Sequence, residues 1–487
     1  MYLLKKLITI LSVIFFSSCA LKKGKESIEF KKYTTAELKE DLKIFKGIIT
    51  DMHAGAYIYN TPDQLNYIFD SISLSIKQPL TTREFYNKVD YIIDRLKCLH
   101  SKAYLPEIYY DSISKRPVFF PTPVIDIDDK LYVNSDVQNI PLGAEILSIN
   151  DIKASDIINK LKGYRHIDGY SNALKKNTID EDFAYHYFLA YGAAKDFTID
   201  FIKDSSADVE TKTFYGEKLN DIYADIYNAT FFYYPTDVNY DLEIDDDTKT
   251  ATLTIRTFSL FTFNETHAFN NFLHNSFRLI KQNGIKNLII DCRNNSGGYY
   301  DATFSLLSYL VNKKLPEYDS SFQRFKHLTY VKYVASEDTG KIAEEDTAYL
   351  KYSKINRRLY KLNNDEITVW EPSSNVFNGR LVVIINGDVV SAASTFAAVL
   401  KDNTKALLIG EETRGSNDAH NASIISFVLP KTQIKIDIPL RRYYQPTIKK
   451  QNDRGVLPHK IIPLTVRDLI ENRDRPMAYI LDSILVK

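Results

Sequence analysis

Two apolar segments of strand length end in the residue types that acyl transfer requires. The first, Leu288–Ile290, leads through a polar turn to Gly297 and Gly298, and the second, Leu381–Ile385, leads to Ser391. A glycine pair can present backbone N–H groups to an oxyanion, and a serine at the start of a helix can present a nucleophilic hydroxyl. The two segments together therefore predict an oxyanion hole and a nucleophile.

The residues after Ser391 favour a nucleophile at a helix N-terminus. Ala392 and Ala393 leave room for a substrate backbone, and the start of a helix favours negative charge. We expect the Ala392 N–H to complete the oxyanion hole together with Gly297 or Gly298. Serine is also a common helix cap, and the residues alone leave both roles open for Ser391.

Five motifs in order resemble those of the tail-specific, or C-terminal processing, serine peptidase family. They are Asp291–Gly298, the small-residue box around Ser391, Ile409–Gly415, Ile438–Leu440 and Asp453–Pro458. The resemblance covers most of the chain after about residue 250. It implies a multidomain α/β (α+β) fold with a ClpP/crotonase-like βα core, and it implies that the nucleophile is Ser391 rather than Ser394.

The resemblance also identifies a candidate general base. In many members of the family a lysine after the nucleophile serves as the base, but Ser416 occupies the matching position here. A second branch, which includes the tricorn core and retinoid-binding relatives, takes a histidine from the N-terminal side of the chain. Residues 96–106 resemble the histidine box of that branch, which implies His100 as the base. His53 is the alternative base, and a structural role at a helix end is the alternative for His100.

A histidine base needs a group that fixes its tautomer. In the same branch an acid precedes the Gly-Val-x-Pro box, which implies Asp453, although Asn452 occupies the matching position. Glu412 is the alternative acid, and a turn carboxylate paired with Arg454 is the alternative role for Asp453.

No other cluster of residues points to a cofactor or a metal. Asp291 and Arg293 are expected to organise the glycine turn through a salt bridge or hydrogen bonds. His420 and His459 flank family motifs, but single histidines do not form a metal site, and no phosphate-binding glycine loop is present.

The N-terminus has the pattern of an export signal. Residues 1–18 combine a basic start with a short apolar run, which predicts a signal peptide. Cys19 resembles the modified cysteine of bacterial lipoproteins. This implies lipidation of Cys19, a tether over residues 19–32, and attachment to the bacterial cell envelope, with the outer membrane as the expected site. An ordinary secretory signal is the alternative. No later apolar stretch reaches the roughly 20 residues of a membrane-spanning helix, so we expect membrane contact through the lipid anchor only.

Charge and cysteine content exclude other classes of function. The chain carries 62 basic and 62 acidic side chains, and no basic stripe suggests a nucleic-acid partner. After Cys19 only Cys98 and Cys292 remain, which is too few for a disulfide framework or a zinc site. Two buried thiols or a single disulfide both fit the pair.

The elements that must position the candidate residues fall into three regions. Residues 33–106 show helical patterns at 62–77 and 82–99 and a capping box at Thr34 and Glu37. Residues 107–215 contain a segment, 141–151, that resembles the core of a PDZ domain. Residues 225–487 form the peptidase-like core, in which 316–376 match no family motif and are interpreted as an insertion, either a lid or a partly helical excursion.

The core itself reads as two strand–helix units. Helix 264–283, strand 286–291 and helix 301–312 form the first unit, and strand 381–385 with helix 391–402 forms the second. A strand pair is predicted over 239–257. In each unit the strand ends shortly before the candidate catalytic residues.

These patterns predict a serine-type endopeptidase that hydrolyses peptides or unfolded and C-terminal segments in the bacterial envelope. Its partner is a peptide or protein substrate. The alternative is a catalytically inactive lipoprotein of the same fold that binds peptides or hydrophobic ligands. The absent lysine favours the alternative, whereas the presence of Ser391, His100 and both glycines opposes it. The peptidase hypothesis requires Ser391 Oγ to lie within a few ångströms of a His100 ring nitrogen.

Overall fold

Three six-stranded sheets, two two-stranded sheets and thirteen α-helices lie in the part of the chain that the computed structural model describes, namely residues 31–135, 139–173, 182–204, 208–228, 239–356 and 359–485. The predicted signal peptide and Cys19 lie outside the described residues. Within those ranges, no helix combines the length and apolarity needed to cross a bilayer.

The N-terminal region is helical, as predicted. Its elements are β1 (Lys32–Tyr33), α1 (Thr35–Met52), α2 (Pro62–Ser75), β2 (Leu80–Thr81), α3 (Thr82–Arg95), β3 (Lys102–Tyr104) and α4 (Glu107–Ser114). The predicted capping box is present, since the Glu37 N–H donates to Thr34 Oγ1 and the Thr34 N–H donates to Glu37 Oε2. Helix α3 ends at Arg95 rather than near residue 99, and Lys97 adopts a positive φ of 50° that turns the chain away. His100 therefore lies on a loop between α3 and β3.

The second region is an antiparallel sheet with two helices. Its elements are β4 (Val124–Ile127), β5 (Lys130–Val133), β6 (Glu145–Ile149), β7 (Ile152–Lys153), α5 (Ala154–Leu161), α6 (Phe183–Tyr191), β8 (Asp196–Ile202) and β9 (Glu210–Tyr215). The strand order is β4-β5-β6-β8-β9, with β7 beside β6. Helix α5 follows the segment 141–151 that resembles a PDZ core, while the PDZ-like assignment remains a prediction.

The third region contains the core and the insertion. Its elements are α7 (Leu219–Asn228), β10 (Tyr240–Asp245), β11 (Thr250–Ile255), α8 (Phe263–Gln282), β12 (Asn287–Asp291), α9 (Tyr300–Ser308), β13 (Leu315–Pro316), β14 (Ser320–Gln323), α10 (Lys341–Ala348), β15 (Tyr352–Asn356), β16 (Leu359–Leu362), β17 (Val369–Trp370), β18 (Arg380–Ile385), α11 (Ala392–Asn403), β19 (Leu407–Gly410), β20 (Ala419–Val428), β21 (Lys435–Tyr444), β22 (Lys460–Ile461), α12 (Val466–Ile470) and α13 (Arg475–Tyr479).

The core sheet brings the two strand–helix units side by side. Its order is β10-β11-β12-β18-β19-β22, and every pairing is parallel except that of β10 with β11. In the pairing of β12 with β18, Asp291 lies opposite Ile384. Parallel neighbours end at the same sheet edge, so the loops after β12 and β18 leave the sheet next to each other.

Another sheet connects the N-terminal region to the core. Its order is β15-β16-β14-β21-β20, and β3 pairs with β21. The predicted insertion contributes β14, β15 and β16, so it extends the β20–β21 hairpin sideways. Because β3 follows His100 directly, its pairing with β21 fixes one end of the loop that carries this histidine.

Asp41 docks helix α1 onto the turn between β20 and β21. Its buried carboxylate accepts hydrogen bonds from the N–H of Lys431 (3.0 Å), the N–H of Thr432 (2.8 Å) and Thr432 Oγ1 (2.7 Å). Burial raises the pKa of Asp41, against the lowering effect of these bonds. The carboxylate therefore compensates donors that would otherwise be buried without an acceptor.

Replacing Asp41 should test this docking contact. We expect Asp41→Ala to reduce the free energy of unfolding by about 2 to 3 kcal/mol, because buried N–H groups lose their acceptor. Glu40→Ala is the matched control, since Glu40 only forms an exposed ion pair with Lys431 (3.3 Å) and should cost less than about 1 kcal/mol. Urea denaturation of both variants provides the measurement, and equal effects would contradict the docking role.

Candidate active site

Ser391 and His100 meet in the structure, as the sequence analysis requires. His100 Nε2 lies 3.0 Å from Ser391 Oγ, although 291 positions separate the two residues in the chain. Ser391 comes from the loop after β18 and His100 from the loop after α3, and both side chains are partly exposed. The contact has the geometry of a nucleophile and its general base.

The backbone of Ser391 is strained. Its φ of 54° and ψ of −129° lie in a region that side-chain-bearing residues rarely adopt, at a cost of about 1 to 3 kcal/mol. Hydrogen bonds hold the turn, with the Val390 N–H donating to Asn295 O (3.2 Å) and the Thr395 N–H to Ser391 O (3.1 Å). Ser391 makes no side-chain cap bond to helix α11, so the alternative role of a helix cap is not realised.

The two glycines have different roles at the site. The Gly297 N–H donates to Asn295 Oδ1 (2.9 Å) and is not available to an oxyanion. A Cβ on Gly297 would lie 2.8 Å from Ser391 Cβ and 2.9 Å from the Ala392 nitrogen. Gly297 therefore permits close packing of the two loops, and the expectation that it could donate to an oxyanion is corrected.

Two other N–H groups remain as oxyanion donors. Ala392 is the first residue of helix α11, where an N–H has no acceptor within its own helix. Neither its N–H nor that of Gly298 meets an acceptor among the residues that the structure describes. Gly298 has a φ of 142°, and a Cβ there would lie 2.0 Å from the Phe258 carbonyl carbon, so glycine is required.

Asparagine side chains, which the sequence analysis did not single out, join the two loops. The Asn294 N–H donates to Asn386 Oδ1 (3.0 Å), and Asn386 Nδ2 donates to Asn294 Oδ1 (2.6 Å). Asn295 Nδ2 donates to Ile255 O on the neighbouring strand (3.1 Å). The signal in the sequence was an asparagine shortly after each of two strands that pair in parallel.

Asp291 and Arg293 organise the glycine turn, as predicted. Arg293 donates to both carboxylate oxygens of Asp291, at 2.9 and 2.7 Å, and also binds Asp474. Arg256 approaches the same carboxylate (2.9 Å). Burial alone would raise the pKa of Asp291, but the two guanidinium groups hold it well below its usual range.

His100 is a neutral imidazole in this environment. Burial, together with the nearby His420 and Lys102, lowers the pKa of His100 to about 3. At neutral pH its Nε2 lone pair is therefore free to accept the Ser391 proton. The other ring nitrogen, Nδ1, is buried and has no hydrogen-bond partner in the described part of the chain.

The structure does not bring Asp453 to His100. Asp453 Oδ1 instead accepts a bond from Arg442 Nη2 (3.2 Å), and the Asp453 N–H donates to Asp418 (2.8 Å). The physical reason is the burial of Arg442, whose side chain is only 3% exposed and requires a counter-charge. Direct contact between Asp453 and the base, expected from the sequence, is not made, and Arg454 is not its partner.

Glu412, the alternative acid, is also engaged elsewhere. Its Oε1 accepts from Arg454 Nε (3.0 Å) and from the Gly455 N–H (2.9 Å), and its Oε2 accepts from Arg454 Nη2. These bonds hold the turn before β22 rather than a histidine. The expectation that Glu412 could serve as the acid is therefore not supported by any contact with His100.

The other candidates take structural positions. Ser394 Oγ donates to Val389 O (3.0 Å), and Ser416 Oγ accepts from the Asp418 N–H (3.0 Å). His53 Nδ1 accepts from the Gly55 N–H (2.9 Å), which leaves Nε2 as the donor to Ser101 Oγ (2.7 Å). His53 therefore holds the residue next to His100 and does not contact Ser391.

Asp168 is a further buried residue that sequence motifs did not reveal. Its Oδ1 accepts from the Leu99 N–H (3.1 Å), and burial raises the pKa of Asp168 to about 7. The following N–H groups of Gly169 and Tyr170 bind Lys97 O (3.0 Å) and Asp453 O (2.8 Å). This segment comes from the β-rich second region and fixes the backbone of the loop that carries the base.

A polar cavity of about 380 Å³ adjoins the site. Its lining includes Leu99, Lys102, Ser296, Asp388 and Arg414, several of which neighbour catalytic candidates in the chain. The cavity can accommodate a substrate side chain.

No metal or redox chemistry emerges from the described residues. They contain no group of three or more histidine, cysteine, aspartate or glutamate residues that could hold a metal ion. Cys98 and Cys292 are both free and buried, and burial raises the pKa of each thiol.

Part of the sequence and the fold are similar to known proteins. Residues 249–462 match peptidase family S41. No curated protein matches the chain. The fold is similar to the crystal structure of mature CPAF, with 16% identity over 93% of this chain and 96% of that chain and a TM-score of 0.59, and to the crystal structure of the CPAF s499a mutant, with the same identity and coverage and a TM-score of 0.62. The structure of mature CPAF complexed with lactacystin is also similar, with 16% identity over 93% of this chain and 98% of that chain and a TM-score of 0.57. These findings support a serine-type peptidase.

The strain at Ser391 leads to a prediction about stability. Ser391→Gly should raise the free energy of unfolding by about 1 kcal/mol, because glycine adopts this backbone conformation without steric cost. Ser391→Ala keeps a Cβ and should leave stability nearly unchanged. Thermal unfolding of the two variants beside the wild type measures the difference. A midpoint for Ser391→Gly at or below that of Ser391→Ala would show that the strain is absent.

Proposed function

We propose that this chain is a serine endopeptidase in which Ser391 is the nucleophile and His100 is the general base. The observation that carries the proposal is the 3.0 Å contact between His100 Nε2 and Ser391 Oγ. The match of residues 249–462 to a peptidase family supports it, since this range contains the nucleophile and both glycines. His100 comes from outside the matched range.

The proposed reaction follows from the geometry. His100 Nε2 takes the hydroxyl proton as Ser391 Oγ attacks the peptide carbonyl carbon. The negative charge on the carbonyl oxygen is received by the N–H groups of Ala392 and Gly298. Protonated His100 then gives its proton to the leaving amine, which leaves an acyl group on Ser391. A water molecule, deprotonated by His100, releases the acid and restores the serine.

The proposed substrates are peptides and unfolded or C-terminal segments of proteins. The support is the resemblance of the motifs to the tail-specific peptidases and the polar cavity whose lining includes Leu99 and Ser296, the chain neighbours of His100 and Gly297. Residues 107–215 would capture a chain end by strand addition if they act as a PDZ domain.

Two observations favour a second function, a non-catalytic binding protein of the same fold. His100 Nδ1 has no carboxylate partner in the described residues, and Ser416 occupies the position of the family lysine. Such a protein would hold a peptide at the same cleft without acylation of Ser391.

Labelling with a fluorophosphonate probe distinguishes the two functions. Protein lacking residues 1–19 should become covalently labelled, because the probe phosphonylates a serine that an adjacent base activates. Ser391→Ala should abolish labelling and His100→Ala should slow it by at least about 100-fold, the usual contribution of a general base. Labelling is followed by gel fluorescence and by mass spectrometry of the modified peptide.

Two matched variants control for indirect effects. Ser394→Ala removes a hydroxyl that only donates to Val389 O, and His267→Ala removes an exposed histidine on α8, so both should label like the wild type. The labelling rate should stay constant from pH 8 down to pH 5, because the pKa of His100 is lowered to about 3 and the base remains neutral throughout. A folded wild type that does not label would favour the binding protein.

We also propose that the enzyme is anchored to the bacterial cell envelope through a lipid on Cys19. The support is the resemblance of the N-terminus to lipoprotein signals. When the full chain is expressed in a bacterial host, the wild type should sediment with the membrane fraction and incorporate an alkyne-tagged fatty acid, because lipidation is the expected membrane attachment. Cys19→Ala should lose the tag, and a tag that persists in this variant would contradict the anchor.

A further inference from the structure

The base lacks the partner that its chemistry demands. Once His100 Nε2 has taken the serine proton, Nδ1 also carries a proton and needs an acceptor. Nδ1 is buried, and none of the described residues accepts from it. Asp453 Oδ1 binds Arg442 and Asp168 Oδ1 binds the Leu99 N–H, and neither carboxylate is hydrogen-bonded to His100 Nδ1.

A second imidazole lies beside the base. The ring centroids of His100 and His420 are 6.0 Å apart, and the two planes are inclined by 37°. His420 is only 4% exposed, and its Nε2 lies 3.0 Å from Tyr300 Oη. Its Nδ1 is buried and, like that of His100, has no partner within the described ranges. Two neighbouring rings thus each present one unsatisfied nitrogen.

We propose that His420 is the positioning residue for His100, acting through one buried water molecule that is hydrogen-bonded to Nδ1 of both rings. This inference rests on the proposed function, since it assigns the group that orients the base. A direct bond between the rings is absent, and a polar site with two unsatisfied partners is one where a buried water is stable.

The tautomers required by this arrangement are consistent. Neutral His420 donates from Nε2 to Tyr300 Oη and keeps a lone pair on Nδ1, which accepts one hydrogen of the water. The water oxygen in turn accepts from His100 Nδ1–H, which leaves Nε2 of His100 unprotonated and directed at Ser391. The bond chain therefore selects the tautomer that can act as a base.

The surroundings of His420 keep it neutral and fixed. Burial and the positive charge of Arg442 lower the pKa of His420 to about 4. Tyr443 lies opposite it in the pairing of β20 with β21, and the two rings stack with centroids 6.0 Å apart. The groups recorded around His420 are two tyrosines, a guanidinium and the base itself, and no carboxylate of the described residues is hydrogen-bonded to it.

The contact with Tyr300 also links the base to the oxyanion hole. Tyr300 is the first residue of α9 and follows Gly298 by two positions. A displacement of His420 would therefore affect both the base, His100, and the oxyanion donor, Gly298.

Two near-isosteric substitutions separate the role of Nδ1 from that of Nε2. The side-chain oxygen of His420→Asn lies near the position of Nδ1 and can still accept from the water, whereas His420→Gln reaches the position of Nε2 and retains only the contact with Tyr300. We expect His420→Asn to keep the fluorophosphonate labelling rate within about 3-fold of the wild type. His420→Gln should slow it by roughly 10- to 100-fold, a smaller loss than the ~10⁴ seen when a triad carboxylate is changed.

A third substitution tests the role of His420 through the pH dependence of labelling, which a purely structural role would not change. His420→Asp places a carboxylate beside the base, which stabilises protonated His100 and should raise the pH of half-maximal labelling by about one unit or more. Asp453→Asn and Asp168→Asn are the comparison variants, and neither should shift this pH. A shift caused by either of them, with none for His420→Asp, would assign the orienting role to that carboxylate and overturn the inference.

The outcomes separate this inference from the proposed function. If the wild type labels and His420→Gln labels equally fast, or if His420→Asn is the slower of the two, His420 does not position the base, although the peptidase mechanism stands. If the wild type does not label, both fail. A crystal structure of the wild type adds a test that does not depend on activity: we expect a water within hydrogen-bonding distance of both Nδ1 atoms, and its absence from well-resolved density would overturn the proposal.

Discussion

The parallel pairing of β12 with β18 determines where the two halves of the site meet. With Asp291 opposite Ile384, the loop after β12, which carries the glycines, and the loop after β18, which carries Ser391, leave the same edge of the sheet side by side. The reciprocal amide bonds of Asn294 and Asn386 then join the loops, and Gly297 lets them pack without an intervening side chain. The strained turn at Ser391 persists because the pairing and these bonds over-determine it.

The base reaches this edge from a different part of the fold. Helix α3 ends early, and the loop that follows is held at three points: His53 binds Ser101, Asp168 binds the Leu99 N–H, and β3 pairs with β21. Each contact joins the loop to a separate region of the chain. The position of His100 therefore depends on the docking of the helical region and the second region onto the core.

The sequence predicts elements well where local signals dominate. The capping box at Thr34 and the strand–helix units of the core appear as expected, because hydrophobic periodicity and capping depend on residues that are close together in the sequence. Ser391 and His100 also meet as predicted. The hydrogen-bond partners of side chains could not be predicted in this way where tertiary packing determines them. Asp453 is drawn to a buried arginine 11 positions away.

The two glycines illustrate the same limit at the site itself. The Asn295 amide occupies the N–H of Gly297, whereas the N–H of Gly298 meets no acceptor among the described residues. Nothing in the local sequence encodes the orientation of this amide, because it is fixed by Ile255 O on a strand 40 positions earlier. The role of His420 is hidden for the same reason, since a single histidine beside a motif carries no signal until a second ring lies next to it.

The electrostatics of His100 suggest when the serine becomes reactive. Burial is the largest effect that opposes protonation of this ring, and Lys102 and the neighbouring His420 act in the same direction. In the resting enzyme the imidazole is therefore a poor proton acceptor. In the proposed mechanism, an oxyanion held by the N–H groups of Ala392 and Gly298 places a negative charge near the same ring, which favours the imidazolium in that state. In the proposed mechanism proton transfer and carbonyl attack are thus coupled, because the oxyanion that the attack creates stabilises the protonated base.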